Sequence, residues 1–129
     1  MNMKTQHAPG PWSVEDRYDP PSEVVDANGY TVAEVDGIGL SPAWQKKHPN
    51  DHWSSSKESQ VERTEEQIAA TAYLISAAPE LLAVVEGLIT QFGLAGIDAV
   101  KDSLNPAEAL RYQAYEALAK AVGGVLAEK

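Results

Sequence analysis

Thr64-Glu-Glu-Gln-Ile-Ala-Ala-Thr-Ala-Tyr-Leu-Ile-Ser-Ala-Ala-Pro79-Glu-Leu-Leu-Ala-Val-Val-Glu-Gly-Leu-Ile-Thr-Gln-Phe-Gly93 is the stretch of this sequence that decides the fold. Apolar residues recur in it at intervals of three or four, the spacing that lines one side of an α-helix. They are Ile68, Ala72, Ile75, Ala78, Leu82, Val85, Ile89 and Phe92. The stretch is therefore predicted to be helical and to form the core.

The ends and the middle of this stretch carry boundary signals. Thr64 followed three residues later by Gln67 is typical of a capping box, in which each side chain satisfies a backbone N–H of the first turn. Gly93 is predicted to adopt a left-handed conformation and close the C-terminus. Pro79 lacks an N–H and clashes with the preceding turn, at a cost of about 3 kcal/mol inside a helix. We therefore predict that the helix is bent or broken at Pro79. The two predicted segments are 65–77 and 79–92.

A β-hairpin is predicted around Asn28-Gly29, which follows Glu23-Val-Val-Asp-Ala and precedes Tyr30-Thr-Val-Ala-Glu-Val. Asn-Gly favours a two-residue type I′ turn, because both residues accept positive φ. That turn would place Val25 opposite Val32. It makes Val25, Tyr30 and Val32 the predicted core residues of the hairpin.

A third strand is predicted at Trp12-Ser-Val-Glu, where apolar and polar side chains alternate. A hairpin alone is marginally stable, so the Trp12 strand beside it and a helix across it are both expected. The predicted fold class is α+β, with a small N-terminal antiparallel sheet of about three strands packed on C-terminal helices. One domain is expected for 129 residues. Its predicted parts are an arm at 1–11, a long loop insertion at 37–63 and a helical part at 64–129.

The C-terminal part is predicted to contain two further helices. The first is short and covers 95–103. The second begins at Asn105 as N-cap with Pro106 in the first turn, and it ends near Val122, before Gly123. One of its faces carries tyrosines and small apolar residues, which suit either self-association or burial within a monomer. The predicted oligomer interface is Tyr112, Tyr115, Ala119 and Val122.

Composition limits the partners that the protein can have. The net charge of −9 and the pI near 4.6 argue against binding to a nucleic-acid backbone, which needs clustered Lys and Arg. They agree with a soluble surface, a basic protein partner or mimicry of nucleic acid. No apolar run approaches the roughly 18 residues that span a bilayer, so a cytoplasmic location is expected. The chain has no cysteine, which excludes disulfides and thiolate chemistry.

The segment 37–63 is the predicted recognition site, because two tryptophans, two histidines and two lysines fall within ten residues of it. Trp44 or Trp53 could stack on a base, and basic residues could meet phosphates. The alternative is that one tryptophan covers the sheet and the rest is solvated loop. The candidate ligand-binding residues are Trp44, Lys46, Lys47, Trp53, Arg63 and Arg111.

The sequence contains no recognisable catalytic or metal-binding arrangement. His48 and His52 would align for a metal only on a helix, which Pro49 disfavours, and no third ligand stands nearby except Asp51. Ser54 lies in a polar run without an activating partner. We therefore expect a non-enzymatic protein with no metal and no cofactor.

Three segments resemble a widespread group of small, uncharacterised phage and prophage proteins. They are His7-Ala-Pro-Gly-Pro-Trp12, the hairpin Val25 to Val35, and Ala72-Tyr-Leu-Ile-Ser-Ala-Ala-Pro-Glu-Leu-Leu82. The resemblance covers about half of the chain in the same order. The tryptophan-bearing insertion and the last helix depart from the group.

This resemblance implies an accessory protein made in an infected bacterium, where it would counter host immunity. One expected function is sequestration of a nucleotide-type immune signal, such as a cyclic nucleotide or an ADP-ribose derivative, inside a homo-oligomer. The other is inhibition of a host defence complex by an acidic, protein-binding surface of the anti-CRISPR or DNA-mimic type.

Overall fold

A computed structural model describes residues 7–124 of the chain. The β-strands within these residues are β1 (Ser13–Val14), β2 (Glu23–Val25), β3 (Thr31–Glu34), β4 (Ile38–Leu40) and β5 (Gln60–Glu62). The α-helices are α1 (Pro42–Lys47), α2 (Glu65–Ser76), α3 (Ala78–Leu94) and α4 (Pro106–Ala121). Two 3-10 turns, Trp53–Ser55 and Lys57–Ser59, precede β5. The N-terminal sheet followed by helices confirms the predicted α+β class.

The described residues form two compact units. One is Pro9–Ala77, and the other contains Ala78 and the described residues after it. The apolar residues predicted to line one side of a helix are divided between the two units, because α2 ends at Ser76 and α3 begins at Ala78. The predicted break beside Pro79 is therefore confirmed. No single helix in residues 7–124 is long and apolar enough to cross a membrane. Helices α2 and α3 taken together reach the length and apolar composition of a membrane span, but they are two helices separated by a bend.

In the first unit, β1, β2 and β3 form an antiparallel sheet in that order. Helix α2 packs against β1 and β2. Val24 from the sheet and Ile68 and Ala72 from the helix are buried there. The sheet therefore gains the stabilising layer that a short hairpin lacks by itself.

The hairpin turn differs from the predicted type I′ turn. Gly29 has φ +84°, but Asn28 does not adopt positive φ. The Gly29 N–H donates to the Asp26 carbonyl at 3.0 Å, and the Asp26 N–H donates to the Tyr30 carbonyl at 2.9 Å. This is the three-residue connection, a type I turn followed by a left-handed glycine. The buried Asp26 carboxylate favours it by accepting from the N–H groups of Asn28 and Tyr30.

The longer turn changes which side chains reach the core. Val25 lies opposite Thr31 rather than Val32, and a bulge separates this pair from Val24 opposite Ala33. Val25 is buried as predicted, and Val32 is half-buried. The prediction for Tyr30 is wrong, because its side chain is 72% exposed.

The section predicted as a long loop contains regular structure. Strands β4 and β5 pair antiparallel, with Ile38 opposite Glu62 and Leu40 opposite Gln60. Helix α1 begins at Pro42 because the Ser41 hydroxyl accepts a hydrogen bond from the Trp44 N–H at 3.3 Å.

The capping box at the start of α2 is confirmed in both directions. The Gln67 N–H donates to the Thr64 hydroxyl at 3.1 Å, and the Thr64 N–H donates to the Gln67 side-chain oxygen at 2.9 Å. These bonds satisfy two N–H groups that have no partner within the helix.

The C-terminus of α3 lies beyond the predicted position. Gly93 is helical, and Gly96, with φ +78°, takes the left-handed position instead. The N–H of Gly96 donates to the Gly93 carbonyl and that of Ile97 to the Phe92 carbonyl, at 3.0 and 2.9 Å. This is a Schellman ending. The helix predicted over 95–103 is not formed, and Leu104 is fully exposed.

In the second unit, α4 packs antiparallel on α3. Its start is as predicted, because the Asn105 side chain accepts from the Ala107 N–H at 3.0 Å and Pro106 follows it. The core consists of buried Ile89, Ala114 and Leu118. The partly buried side chains around it are Leu82, Val85, Leu88, Tyr115 and Val122.

Candidate functional site

A groove of about 380 Å³ lies on the small β4–β5 sheet. Its volume falls within the range of small-molecule and side-chain binding clefts. Its lining is predominantly apolar and consists of Ile38, Gly39, Leu40, Trp53 and Gln60. It is the main candidate for a binding site in the first unit.

The register of the sheet determines what can reach this groove. Ile38 and Leu40 project from one face, together with their cross-strand partners Glu62 and Gln60. Gly39 and Val61 are paired between them, so Val61 projects from the opposite face. The groove therefore belongs to the Ile38 and Leu40 face.

Trp53 is held at the groove by the two 3-10 turns. Nδ1 of His52 accepts a hydrogen bond from the Ser54 N–H at 3.2 Å and caps the first turn. The buried Ser59 hydroxyl lies within hydrogen-bond distance of the carbonyl oxygens of Trp53 and Ser56. The Trp53 side chain remains 48% exposed. A half-exposed indole on a hydrogen-bonded turn can contact a partner with little loss of conformational entropy.

Trp44 occupies a different environment from Trp53. It is buried in α1, and its ring stacks on His48 with centroids 4.8 Å apart. Of the two tryptophans, Trp44 therefore serves packing, and Trp53 is the one presented to solvent.

The predicted cations of the first unit are not among the groove's lining residues. Lys46 and Lys47 are exposed in the last turn of α1. Arg63 donates to the Asp36 carbonyl at 2.7 Å. Its guanidinium lies 3.9 Å from the position of a Cβ on Gly39, on the sheet face opposite Ile38 and Leu40. A phosphate held by Arg63 would therefore be on the other side of the sheet from the groove.

Arg111 belongs to the second unit and contacts backbone there. It donates to the Ile89 carbonyl at 3.2 Å and to the Ile97 carbonyl at 2.9 Å. It also lies over the Tyr115 ring, 5.4 Å from its centroid. The Ile97 carbonyl lies just beyond the C-terminal end of α3, where a cation is favoured, whereas the Ile89 carbonyl lies within the helix.

The residues of the predicted oligomer interface are partly used within the chain. Tyr115 and Val122 pack on the core of the second unit, and Ala119 is half-buried. Tyr112 is half-buried as well, and its hydrogen bond to the Glu116 carboxylate raises the pKa of Tyr112. Self-association through this face remains a prediction.

A buried carboxylate that sequence reasoning missed lies in β2. Glu23 is 3% exposed, and it accepts from the Thr31 hydroxyl at 2.6 Å and from the Arg17 guanidinium at 2.6 Å. The bond from Thr31, and after it the bond from Arg17, lowers the pKa of Glu23. The available signal was Glu23 at the start of a strand with Arg17 six residues before it. This group is held in an ion pair and stabilises the sheet.

His48 and His52 have local structural roles. Nδ1 of His52 lies 2.7 Å from the Ser54 hydroxyl, a distance at which a histidine can activate a serine. The same nitrogen also accepts the Ser54 N–H and caps the 3-10 turn, which gives it a structural role. His48 pairs with the exposed Asp51 at 3.1 Å. Within residues 7–124, no group of three or more His, Asp or Glu side chains is placed to hold a metal ion.

Comparison with known proteins gives a family for this chain. Residues 3–125 match the family model of Salmonella phage P22 protein Y8K6. No curated protein and no solved structure matches the chain. The match extends over nearly the whole sequence and agrees with the resemblance to small phage proteins. The chain therefore belongs to the Salmonella phage P22 protein Y8K6 family.

Proposed function

We propose that this phage protein acts without catalysis, by binding a protein of the infected bacterium and thereby countering a host defence. The observation that carries the proposal is the apolar groove with Trp53 at its edge. Ile38 and Leu40 are 55% and 41% exposed beside it. Exposed apolar side chains around a tryptophan are typical of the energetic centre of a protein interface.

The charge of the chain supports a partner with a basic surface. At a net charge of −9, long-range attraction accelerates association with a positively charged protein. Such attraction weakens as salt screens it, whereas contact in the apolar groove persists. We therefore expect a partner whose association slows in high salt and whose bound state depends on Trp53.

The test is capture of a stoichiometric partner from host lysate, followed by measurement of its affinity. Trp53→Ala should weaken binding by roughly tenfold or more, as expected for a central aromatic residue. Val61→Ser is the matched control, because Val61 is 55% exposed on the opposite face of the same sheet. Equal affinity of the wild type and Trp53→Ala would refute the role of the groove.

Sequestration of a nucleotide-type signal is the second candidate function. The half-exposed Trp53 indole beside a groove of about 380 Å³ favours it, because a nucleobase could stack there. The placement of Arg63 and Arg111 disfavours it, since both guanidinium groups donate to backbone carbonyls. Calorimetry with cyclic nucleotides and cyclic ADP-ribose isomers distinguishes the two. Binding heat that disappears in Trp53→Ala would favour sequestration, and absence of heat across the panel would refute it.

A further inference from the structure

One edge of strand β4 has no neighbouring strand in residues 7–124, where β5 is the only strand that pairs with it. At the two ends of this ladder, the N–H groups of Arg63 and Ser41 donate across it at 2.8 and 2.7 Å. Hydrogen-bonded pairs alternate with non-hydrogen-bonded pairs in an antiparallel ladder, so Gly39, midway between the two ends, is in a bonded pair. The N–H and C=O groups of Ile38 and Leu40 therefore point away from β5.

The outer edge of β5, by contrast, is partly used by the chain itself. The Gln60 N–H points away from β4 by the same alternation, and it donates to the Lys57 carbonyl of the preceding 3-10 turn. Within residues 7–124, no comparable bond reaches the outward groups of Ile38 and Leu40. Strand β4 is therefore the edge that presents a row of unpaired backbone donors and acceptors.

Such a row identifies its complement by chemistry. Two N–H and two C=O groups on alternate residues match an extended backbone, which offers the same groups at the same spacing. A helix has free backbone groups only at its ends, so it cannot bond along this edge. A proline, a lysine or a bulge would protect the edge, and Ile38-Gly39-Leu40 contains none of them. The edge therefore fits an extended segment of another protein.

We propose that a partner protein adds an extended segment to the free edge of β4, antiparallel to it, as a third strand of the small sheet. The inference rests on the proposed function, since it gives the manner in which a host protein occupies the groove beside Trp53. The partner residues opposite Leu40 and Ile38 each exchange two hydrogen bonds with β4. Their side chains lie on the groove face, because directly opposed residues share a face of the sheet.

The groove determines which residue is favoured opposite Leu40. Leu40 and its cross-strand partner Gln60 both line the groove. The hydroxyl of Ser59, next to Gln60, lies within hydrogen-bond distance of the Trp53 carbonyl, which places the indole at this end of the sheet. Because the lining is predominantly apolar, an apolar side chain of the partner gains the most from burial here.

Charge determines which residue is favoured opposite Ile38. Exposed Glu62 pairs with Ile38 on the groove face, and no ion pair within residues 7–124 involves it. A Lys or Arg of the partner covers Ile38 with its methylene groups and carries its charge toward Glu62. A chain of net charge −9 also attracts a basic partner. Because the strands are antiparallel, the expected segment is an apolar residue, then any residue, then Lys or Arg.

NMR titration of the isotope-labelled full chain with the blocked peptide Thr-Ser-Leu-Thr-Arg-Ser-Thr tests the proposal. The amide signals of Ile38 and Leu40 should shift. N-methylation of the peptide's leucine removes the N–H that donates to the Leu40 carbonyl, and it should raise the dissociation constant by roughly fivefold or more. N-methylation of the central threonine is the matched control, because that N–H points away from β4. Absence of shifts at β4, or equal affinity of the two N-methylated peptides, would overturn the proposal.

A charge exchange tests the position of the segment along β4. Glu62→Arg should weaken binding of this peptide by roughly threefold or more. A peptide with glutamate in place of its arginine should bind this variant better than it binds the wild type. Asp98→Arg makes the same change in net charge at an exposed position in the second unit and should alter the affinity much less. Equal weakening in the two variants would contradict the contact with Glu62.

Ile38→Pro distinguishes failure of this inference from failure of the proposed function. It removes an N–H that faces away from β5, whereas Ile38→Ala removes the side chain and keeps that N–H. A host protein captured by the wild type should bind Ile38→Pro more weakly than Ile38→Ala. Equal binding to both, together with dependence on Trp53, would refute strand addition and retain the groove as the site.

The opposite result is also recognisable. Peptide binding that N-methylation of the leucine weakens, without any captured host protein that depends on Trp53, would retain strand addition and refute the proposed function. The N-methylated peptides leave the chain itself unaltered, so they decide the question even if Ile38→Pro fails to fold.

Discussion

The Thr31 hydroxyl of β3 donates to the Glu23 carboxylate of β2 at 2.6 Å, and this bond stabilises a buried charge in the three-stranded sheet. The other carboxylate oxygen of Glu23 accepts from Nε and Nη2 of Arg17, at 3.2 and 2.6 Å. Directly across the ladder lies Glu34, a like charge that would otherwise weaken the pairing. The two donors thus allow two glutamates to face each other in a three-stranded sheet.

Acid should destabilise the first unit through Glu23. Its pKa is lower in the folded chain than the ordinary value of 4.5. The stabilisation is therefore fully present above the unfolded pKa and is lost as pH falls through the folded pKa. We expect Glu23→Gln to lower the thermal midpoint at pH 7 and to reduce its decrease between pH 5 and pH 3, as measured by circular dichroism. Glu62→Gln, at an exposed position outside this sheet, is the control and should change the slope less than Glu23→Gln does. Equal changes in slope for the two variants would contradict the assignment.

The capping box of α2 should contribute measurably to stability. Thr64→Ala removes the acceptor of the Gln67 N–H and is expected to cost about 1 kcal/mol in urea unfolding. Thr71→Ala is a matched control in the same helix, because its hydroxyl bonds only the carbonyl four residues before it. That substitution should be neutral or stabilising. If Thr71→Ala lowers the free energy of unfolding as much as Thr64→Ala does, the loss reflects a general effect of removing threonine and not the capping box.

Leu118 should be the most sensitive apolar position of α4. Its side chain is fully buried, and Leu118→Ala leaves a cavity that is expected to cost about 2–5 kcal/mol. Leu110→Ala makes the same change at a position that is 43% exposed and should cost much less. Urea unfolding, followed by the helical circular-dichroism signal, measures the free energy of unfolding of both variants. Similar losses of stability in the two would contradict the packing of α4 on α3.

Arg111 should affect stability rather than ligand or partner binding. Arg111→Met retains much of the aliphatic side chain but removes the bonds to the Ile89 and Ile97 carbonyls. Loss of charged hydrogen bonds is expected to cost about 1.5–3 kcal/mol. Lys120→Met, on the exposed last turn of α4, removes a charge without these bonds. Unchanged stability together with lost binding in Arg111→Met would instead support a phosphate-binding role.

Local signals predicted the starts of α2 and α4 correctly, because the interacting atoms are close in sequence. Thr64 with Gln67 and Asn105 with Pro106 determine their caps within three residues. The hairpin register depended on Asp26, whose carboxylate bonds override the Asn-Gly preference for a shorter turn. One side-chain acceptor was therefore enough to move Tyr30 from the predicted core to solvent.

The candidate site was less predictable, because it depends on contacts between distant residues. Strands β4 and β5 pair although about twenty residues of sequence separate them. Each has only three residues, too few for a clear alternation of apolar and polar side chains. Sequence reasoning identified both tryptophans, but the burial of Trp44 and the exposure of Trp53 follow from how α1 and the 3-10 turns fold. The roles of Arg63 and Arg111 likewise depend on carbonyl groups 27 and 22 residues away.

The close approach of Gly93 to Arg111 links two distant positions of the chain. A Cβ at Gly93 would lie 2.7 Å from a guanidinium nitrogen of Arg111. During divergence of this family, a methyl group at position 93 would force the guanidinium to shift and would disturb its bonds to the Ile89 and Ile97 carbonyls. We therefore expect these positions to co-vary among homologues, with arginine retained at 111 only where glycine is retained at 93.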